Sequence, residues 1–110
     1  MNAEKVKSQM RKGMLEFCVL LLISRGEIYA SEIIARLKAA HMIVVEGTLY
    51  PLLTRLKNDE LLAYRWEESS AGPPRKYYNI TPKGQQYLEM LRDGWKEITA
   101  TISLIENIKQ

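Results

Sequence analysis

At Leu62 the hydrophobic period of this chain changes, and that change limits the fold more than any other feature. Upstream, Leu49, Leu52, Leu53 and Leu56 fall at i, i+3, i+4 and i+7, the apolar face of an amphipathic helix. Downstream, "AYRWEE" and "RKYYNI" are rich in aromatic residues and flank the turn cluster "SSAGPP". Two strands around such a cluster form a β-ribbon. Two more helical segments precede the leucine stripe. Residues 15–24 are apolar on nearly every side, as a buried helix is, and Gly26 is placed to cap the C-terminal end. In "YASEIIARLKAAH", Ala30, Ile33, Ile34, Leu37 and Ala40 recur at helical spacing, with Ser31 as the expected N-cap. The β-branched bridge Ile43-Val44-Val45 leads from it into the leucine stripe. After the ribbon, Thr81-Pro82 reads as an N-cap followed by proline at the first helical position. From there one helix of on the order of 40 Å can run to near the C-terminus. The fold class expected is therefore mainly α with a small β-ribbon: a winged helix-turn-helix over residues 1–81, then a long C-terminal helix over 82–110.

Pro51 lies inside the leucine-striped segment. If that helix starts between Val45 and Thr48, Pro51 forfeits at most about one backbone hydrogen bond, because the first four N–H groups have no partner anyway. With the leucines inward, the opposite face holds Gly47, Pro51, Thr54 and Asn58, bordered by Thr48, Tyr50, Arg55 and Lys57. That surface is small near its N-terminus and polar or basic further on. A helix entering the DNA major groove reads bases mainly through its N-terminal residues, which this arrangement suits. It equally suits a solvated face on an ordinary helix. In the ribbon, Arg75 and Lys76 follow a proline-stiffened tip, with Tyr77 and Tyr78 beside them. Such cations fit contact with the DNA backbone or minor groove, or else a solvated hairpin protected from edge-to-edge pairing. Alternation along the strand directs one of the two tyrosines to the core.

Charge distribution bears on that choice. Lys and Arg number 16 against 13 Asp and Glu, a net +3. Residues 1–83 carry 13 basic and nine acidic side chains, and residues 84–110 carry three and four. The positive excess thus belongs to the helix-and-ribbon part and to the basic arm with Lys5, Lys7, Arg11 and Lys12. It is compatible with nucleic acid. The candidate DNA-binding residues are Lys5, Lys7, Thr48, Tyr50, Pro51, Thr54, Arg55, Arg75, Lys76 and Tyr77.

The last segment carries a separate message. Leu88, Leu91, Trp95, Ile98, Ile102 and Ile105 are spaced 3, 4, 3, 4 and 3, a coiled-coil seam. A single helix cannot cover its own seam, so a homodimer is expected, the alternative being packing onto the chain's own domain. Trp95 either fills that interface or walls a cavity in which a flat aromatic ligand would stack.

Other functions are disfavoured. Apolar content of 46% and charged content of 26% are those of a globular chain. The single cysteine, Cys18, excludes an internal disulfide and fits a reducing cytoplasm. Its apolar run, residues 14–23, is too short for a membrane span of about 20 residues. His41 is the one histidine, and no Gly-x-Gly-x-x-Gly, P-loop or Gly-x-Ser-x-Gly occurs. No catalysis, metal or cofactor is expected.

"EGTLYPLLTRLKNDELL" followed by "GPPRKYYNITPKGQQYL" closely resembles the PadR family of bacterial winged-helix transcriptional regulators. "MLEFCVLLLIS" and "YASEII" are similar to that family's first two helices, and the single C-terminal helix is similar to its short subfamily. The resemblance implies a recognition helix bearing Thr48, Tyr50, Pro51 and Arg55, wing contacts from Arg75 and Lys76, and phosphate contacts from the N-terminal arm. It further implies a cytoplasmic homodimeric repressor on an inverted-repeat operator. A tryptophan like Trp95 stacks on planar drugs in its multidrug-sensing members. Three positions depart from the pattern. Glu60 stands where the family has glycine, which leads one to expect a different helix cap. Ala30 replaces a common glycine, and Pro73-Pro74 stiffens the wing tip. Two rival functions remain open at this level: a winged-helix protein-interaction module, and a small-molecule binder that has lost its DNA contacts.

Overall fold

The computed structural model describes residues 2–109. Helix α1 (Ala3–Arg11) is capped by the Asn2 side chain and has no buried residue. Helix α2 (Leu15–Ile23) is the centre of the molecule, with Val19, Leu20 and Ile23 at most 1% exposed. Strand β1 (Ile28–Tyr29) runs directly into α3 (Ala30–Ala39). Then follow α4 (Glu46–Asn58), the hairpin β2 (Leu62–Ser69) and β3 (Gly72–Ile80), and α5 (Pro82–Glu106).

The sheet has three strands in the order β1-β3-β2, all antiparallel, rather than the two expected. The extra strand is only two residues long and pairs Ile28 with Tyr78 and Tyr29 with Tyr77. The turn cluster is also shorter than its composition suggests. Only Ser70-Ala71 turn, and Pro73-Pro74 lie within β3. Proline there offers no N–H to the ladder, and the pairing slips between Glu67 and Ser69.

Leu49, Leu53 and Leu56 of α4 are fully buried and Leu52 partly so, which fixes the helix on α3 and β2. Burying each such leucine is worth roughly 1.5–3 kcal/mol. Pro51 is the sixth residue of a helix that begins at Glu46, so the one bond forfeited is that to the Gly47 carbonyl. The helix continues unbroken past it.

Local caps differ from expectation. Tyr29 precedes α3 as its N-cap without a side-chain bond, and Ser31 is already inside the first turn. Gly26 lies two residues beyond the Ser24 cap of α2, at φ +143°, a conformation that glycine takes freely. After α4, Glu60 adopts φ +64°, its N–H bonds the Lys57 carbonyl and the Leu61 N–H bonds the Leu56 carbonyl. This is the Schellman cap that glycine normally makes, so Glu60 does not alter the cap but accepts its left-handed backbone. His41 does the same after α3, at φ +68°. A non-glycine residue in that region is strained by about 1–2 kcal/mol. Glu60→Gly is therefore expected to raise stability by about 0.5–1 kcal/mol once glycine's extra unfolded-state entropy is deducted. Urea denaturation reads this directly, and a lowered midpoint would refute it.

Helix α5 starts as its sequence suggests, with the Thr81 hydroxyl accepting from the Gly84 N–H at 2.9 Å and Pro82 at the first position. Leu88, expected on an intermolecular seam, is 1% exposed in the single chain and belongs to its own core. Leu91 packs partly against that core as well. From Trp95 onward every described residue of the helix except Thr99 is exposed, and α5 projects from a molecule 64 Å long.

Candidate nucleic-acid interface

The outward face of α4 is built by subtraction: once its leucines face the core, Gly47, Thr48, Tyr50, Pro51, Thr54, Lys57 and Asn58 are left exposed. Nothing lies within 4 Å of a Cβ placed on Gly47, so the entry end of the helix is open. Tyr50 is 46% exposed and lines a cleft together with Tyr78 of the wing. Burial, then the neighbouring Tyr50 and Tyr64, pushes the Tyr78 hydroxyl up, so it stays neutral.

Strand alternation splits the basic wing pair. Lys76 lies on the face toward α4, its Nζ 4.5 Å from the Tyr64 ring centre and 5.3 Å from that of Trp66. Lys57 of α4 reaches the same Tyr64 ring at 5.8 Å. Arg75 turns to the other face, 4.6 Å over Tyr29. Tyr77 shares that face: it meets Tyr29 edge-on at 5.4 Å and lies under Arg65 at 5.2 Å. Tyr77, expected to contact DNA, is half-buried here and packs between Tyr29 of β1 and Arg65 of β2. Cation–π contacts of this kind orient a charged head without neutralising it. Arg65 is neutralised, bridging Glu27 at 2.6 Å and also Glu67. Among the described residues no carboxylate pairs with Arg75 or Lys76.

These elements enclose one cleft of about 380 Å³ between recognition-type helix and wing. Tyr50 and Thr54 of α4, Ser31 of α3, and Trp66, Pro74, Arg75 and Lys76 of the ribbon all line it. Three of these, Ser31, Trp66 and Pro74, were not singled out from sequence as site residues. Trp66, 60% exposed, could have been found from the aromatic-basic alternation of the ribbon. Thr48 and Pro51 sit on the same helix face beyond the cleft. Lys5 and Lys7 are exposed on α1, away from the cleft.

Arg55 does not join this surface. Its guanidinium is 3.1 Å from Glu16 of α2 and 3.8 Å from Asp59, turned toward α2. The remaining candidates form a separate region: Trp95, Ile98, Ile102 and Ile105 are 44–61% exposed along the projecting half of α5. Cys18 is partly buried, and burial pushes its thiol up, the opposite of an activated nucleophile. No helix among the described residues is long and apolar enough to cross a membrane.

Comparison with known proteins agrees with this architecture. Residues 19–90 match the family described as the transcriptional regulator PadR-like family. A PadR-like transcription factor from Bacteroides fragilis is 61% identical, with a TM-score of 0.79 over 92% of this chain and 98% of that one. A PadR-like transcriptional regulator from Bacillus cereus is 38% identical, with the same TM-score over 92% and 99%. An Eggerthella lenta regulator of the same family is 26% identical, with a TM-score of 0.89 over 96% and 93%. An uncharacterized protein from Lysinibacillus sphaericus is 33% identical over 90% of this chain and 94% of its own.

Proposed function

This chain belongs to the PadR-like family of transcriptional regulators, and from that premise we propose that it is a homodimeric repressor reading two half-sites of an inverted-repeat operator. DNA-binding regulation is the general activity of the family. The observation that carries the finer reading is the shared cleft, where the exposed α4 face meets wing cations that have no acidic partner. In this reading residues 1–81 bind DNA and 82–110 dimerise, with the first turns of α5 serving both.

Thr48, Tyr50, Pro51 and Thr54 present the major-groove surface, and Lys57 adds charge at its far end. Pro51 stiffens the entering helix and directs its ring outward. Arg75 and Lys76 grip phosphates on either side of the wing, and Lys5 and Lys7 extend the positive field from α1. Two such units place their recognition helices about 34–36 Å apart, one turn of DNA. A planar aromatic effector stacked on Trp95 would lie between the protomers, where it shifts the balance between two dimer geometries.

Anisotropy with the upstream region of the protein's own gene tests this reading. Specific binding that weakens steeply with salt is expected. Equal affinity for operator and random DNA at every salt concentration would leave a protein-interaction module or a small-molecule binder instead. Arg75→Ala with Lys76→Ala should weaken binding to all sequences and flatten the plot of log affinity against log salt by about two. A slope unchanged by the pair would remove the wing from the interface.

A further inference from the structure

We propose that Arg55 is a positioning residue which, with Glu16 and Tyr87, braces the DNA-reading helix α4 against the long helix α5. The inference rests on the DNA-binding reading above, for the value of the brace is that α4 keeps a fixed direction relative to α5. Arg55 lies on the third turn of α4, bordering the face expected to read DNA. Its Nη2 donates to Glu16 Oε1 at 3.1 Å, and its Nη1 is 3.8 Å from Asp59 Oδ2. Glu16 is the more enclosed partner, its side chain 22% exposed against 54% for Arg55. It projects from the first turn of α2, the helix that packs against α5.

Tyr87 supplies the third part. It is half-buried on α5, and its hydroxyl is pushed up first by burial and then by the nearby Glu16 carboxylate. In this brace one carboxylate holds a guanidinium from α4 and faces a phenol from α5. A partly enclosed carboxylate stripped of either partner is poorly compensated, so the three groups act as a unit. A second set of contacts ties the same ends together. The Lys83 ammonium donates to the Asp59 carbonyl at 3.1 Å, and the Thr81 hydroxyl donates to the Glu60 carbonyl at 2.7 Å. The C-terminal end of α4 is thus held at two levels one turn apart, by Arg55 to α2, which packs on α5, and by Asp59 and Glu60 to the start of α5. To touch a base, Arg55 would have to leave both carboxylates and abandon the upper grip.

The test compares Arg55→Ala, Arg55→Lys, Glu16→Gln, Tyr87→Phe and the double variant Glu16→Gln/Arg55→Ala, in the full-length protein. Arg55→Ala and Glu16→Gln should each weaken operator binding about tenfold, and the double variant should be no worse than the worse single. Arg55→Lys should recover part of the loss, since it restores charge without the planar fork. Base preference and salt slope should stay those of the wild type, because no DNA contact is lost. The proposal is overturned if Arg55→Ala changes preference at one operator position or lowers the salt slope by about one while Glu16→Gln leaves affinity intact. Hydrogen exchange without DNA separates failure of the brace from failure of the repressor reading. Faster exchange in the first turns of α5 in Arg55→Ala and Tyr87→Phe supports the brace even if the wild type binds no DNA. Unchanged exchange there overturns it.

Discussion

Replacing Gly84 with alanine should destabilise the protein by about 3–5 kcal/mol, among the largest effects a single methyl can have. A Cβ on this residue would lie 2.1 Å from the Leu61 carbonyl oxygen and 2.7 Å from Ile80 Cγ1. The obstacle is backbone, so no rotamer change relieves it, and α5 must move off the turn that joins α4 to β2. That movement breaks what the close approach permits. The Thr81 N–H bonds the Leu61 carbonyl at 3.1 Å, and the Thr81 hydroxyl reaches the Glu60 and Leu61 carbonyls at 2.7 and 3.0 Å. Leu88, one turn further, would leave a site where it is 1% exposed. A loss of this size is a large share of the roughly 5–15 kcal/mol that holds a domain together. The melting temperature read by circular dichroism should fall by on the order of 10–20 °C. Gly13→Ala, with nothing within 4 Å of its Cβ, is the control and should melt close to wild type. A Gly84→Ala protein that also melts within a few degrees of wild type would show that α5 can shift freely, and the grip on α4 described above would lose its basis.

Gly84 also marks where sequence reasoning stops. The helices were legible because their apolar residues recur with one period over ten or more positions, and Thr81-Pro82 marks a helix start through local chemistry alone. Long-range partners leave no such mark. Strand β1 is two residues whose pairing depends on Tyr77 and Tyr78, some 50 positions away in the chain. The Gly84 contact depends on where the Leu61 carbonyl is delivered by the Glu60 cap, and Glu60 itself looks wrong for that cap until its φ is seen. Arg55 is the clearest case at the site. Its position borders the outward face of α4, yet Glu16, 39 residues earlier, turns its charge toward α2. Composition and spacing locate a helix face well, but they do not say which of its long side chains a distant carboxylate will claim. The wing shows the converse. Lys76 and Arg75 are adjacent in sequence and read as one basic patch, whereas strand alternation sends them to opposite faces with different aromatic supports.

Ile98→Asp together with Ile102→Asp should convert the proposed dimer to monomer and lower operator affinity by about 10²–10⁴-fold. The two side chains are 55% and 49% exposed in the single chain, and Trp95 and Ile105 continue the same strip at 44% and 61%. A row of this kind is an unusual apolar surface for an isolated helix, and a second copy of the same seam is its self-complementary cover. Carboxylates placed there would be desolvated without partners on dimerisation, which opposes association far more than it alters the monomer. The winged unit should survive, because Gly84 and Leu88 hold the first turns of α5 and neither substituted residue touches the core. Folding and association are therefore separable in one variant: near-native melting of the monomer, but a halved mass by sedimentation. The loss of DNA affinity follows from geometry rather than contact. Each half-site is read as before, but the second binding event no longer benefits from the effective concentration that the paired α5 helices provide. Its signature differs from that of the wing variants: affinity for a single half-site is retained, while the advantage of two half-sites at one spacing disappears. If the double variant remains dimeric, α5 is not the interface. If it is monomeric yet binds the full operator as tightly as wild type, the two-half-site mechanism is wrong even though the dimer is right.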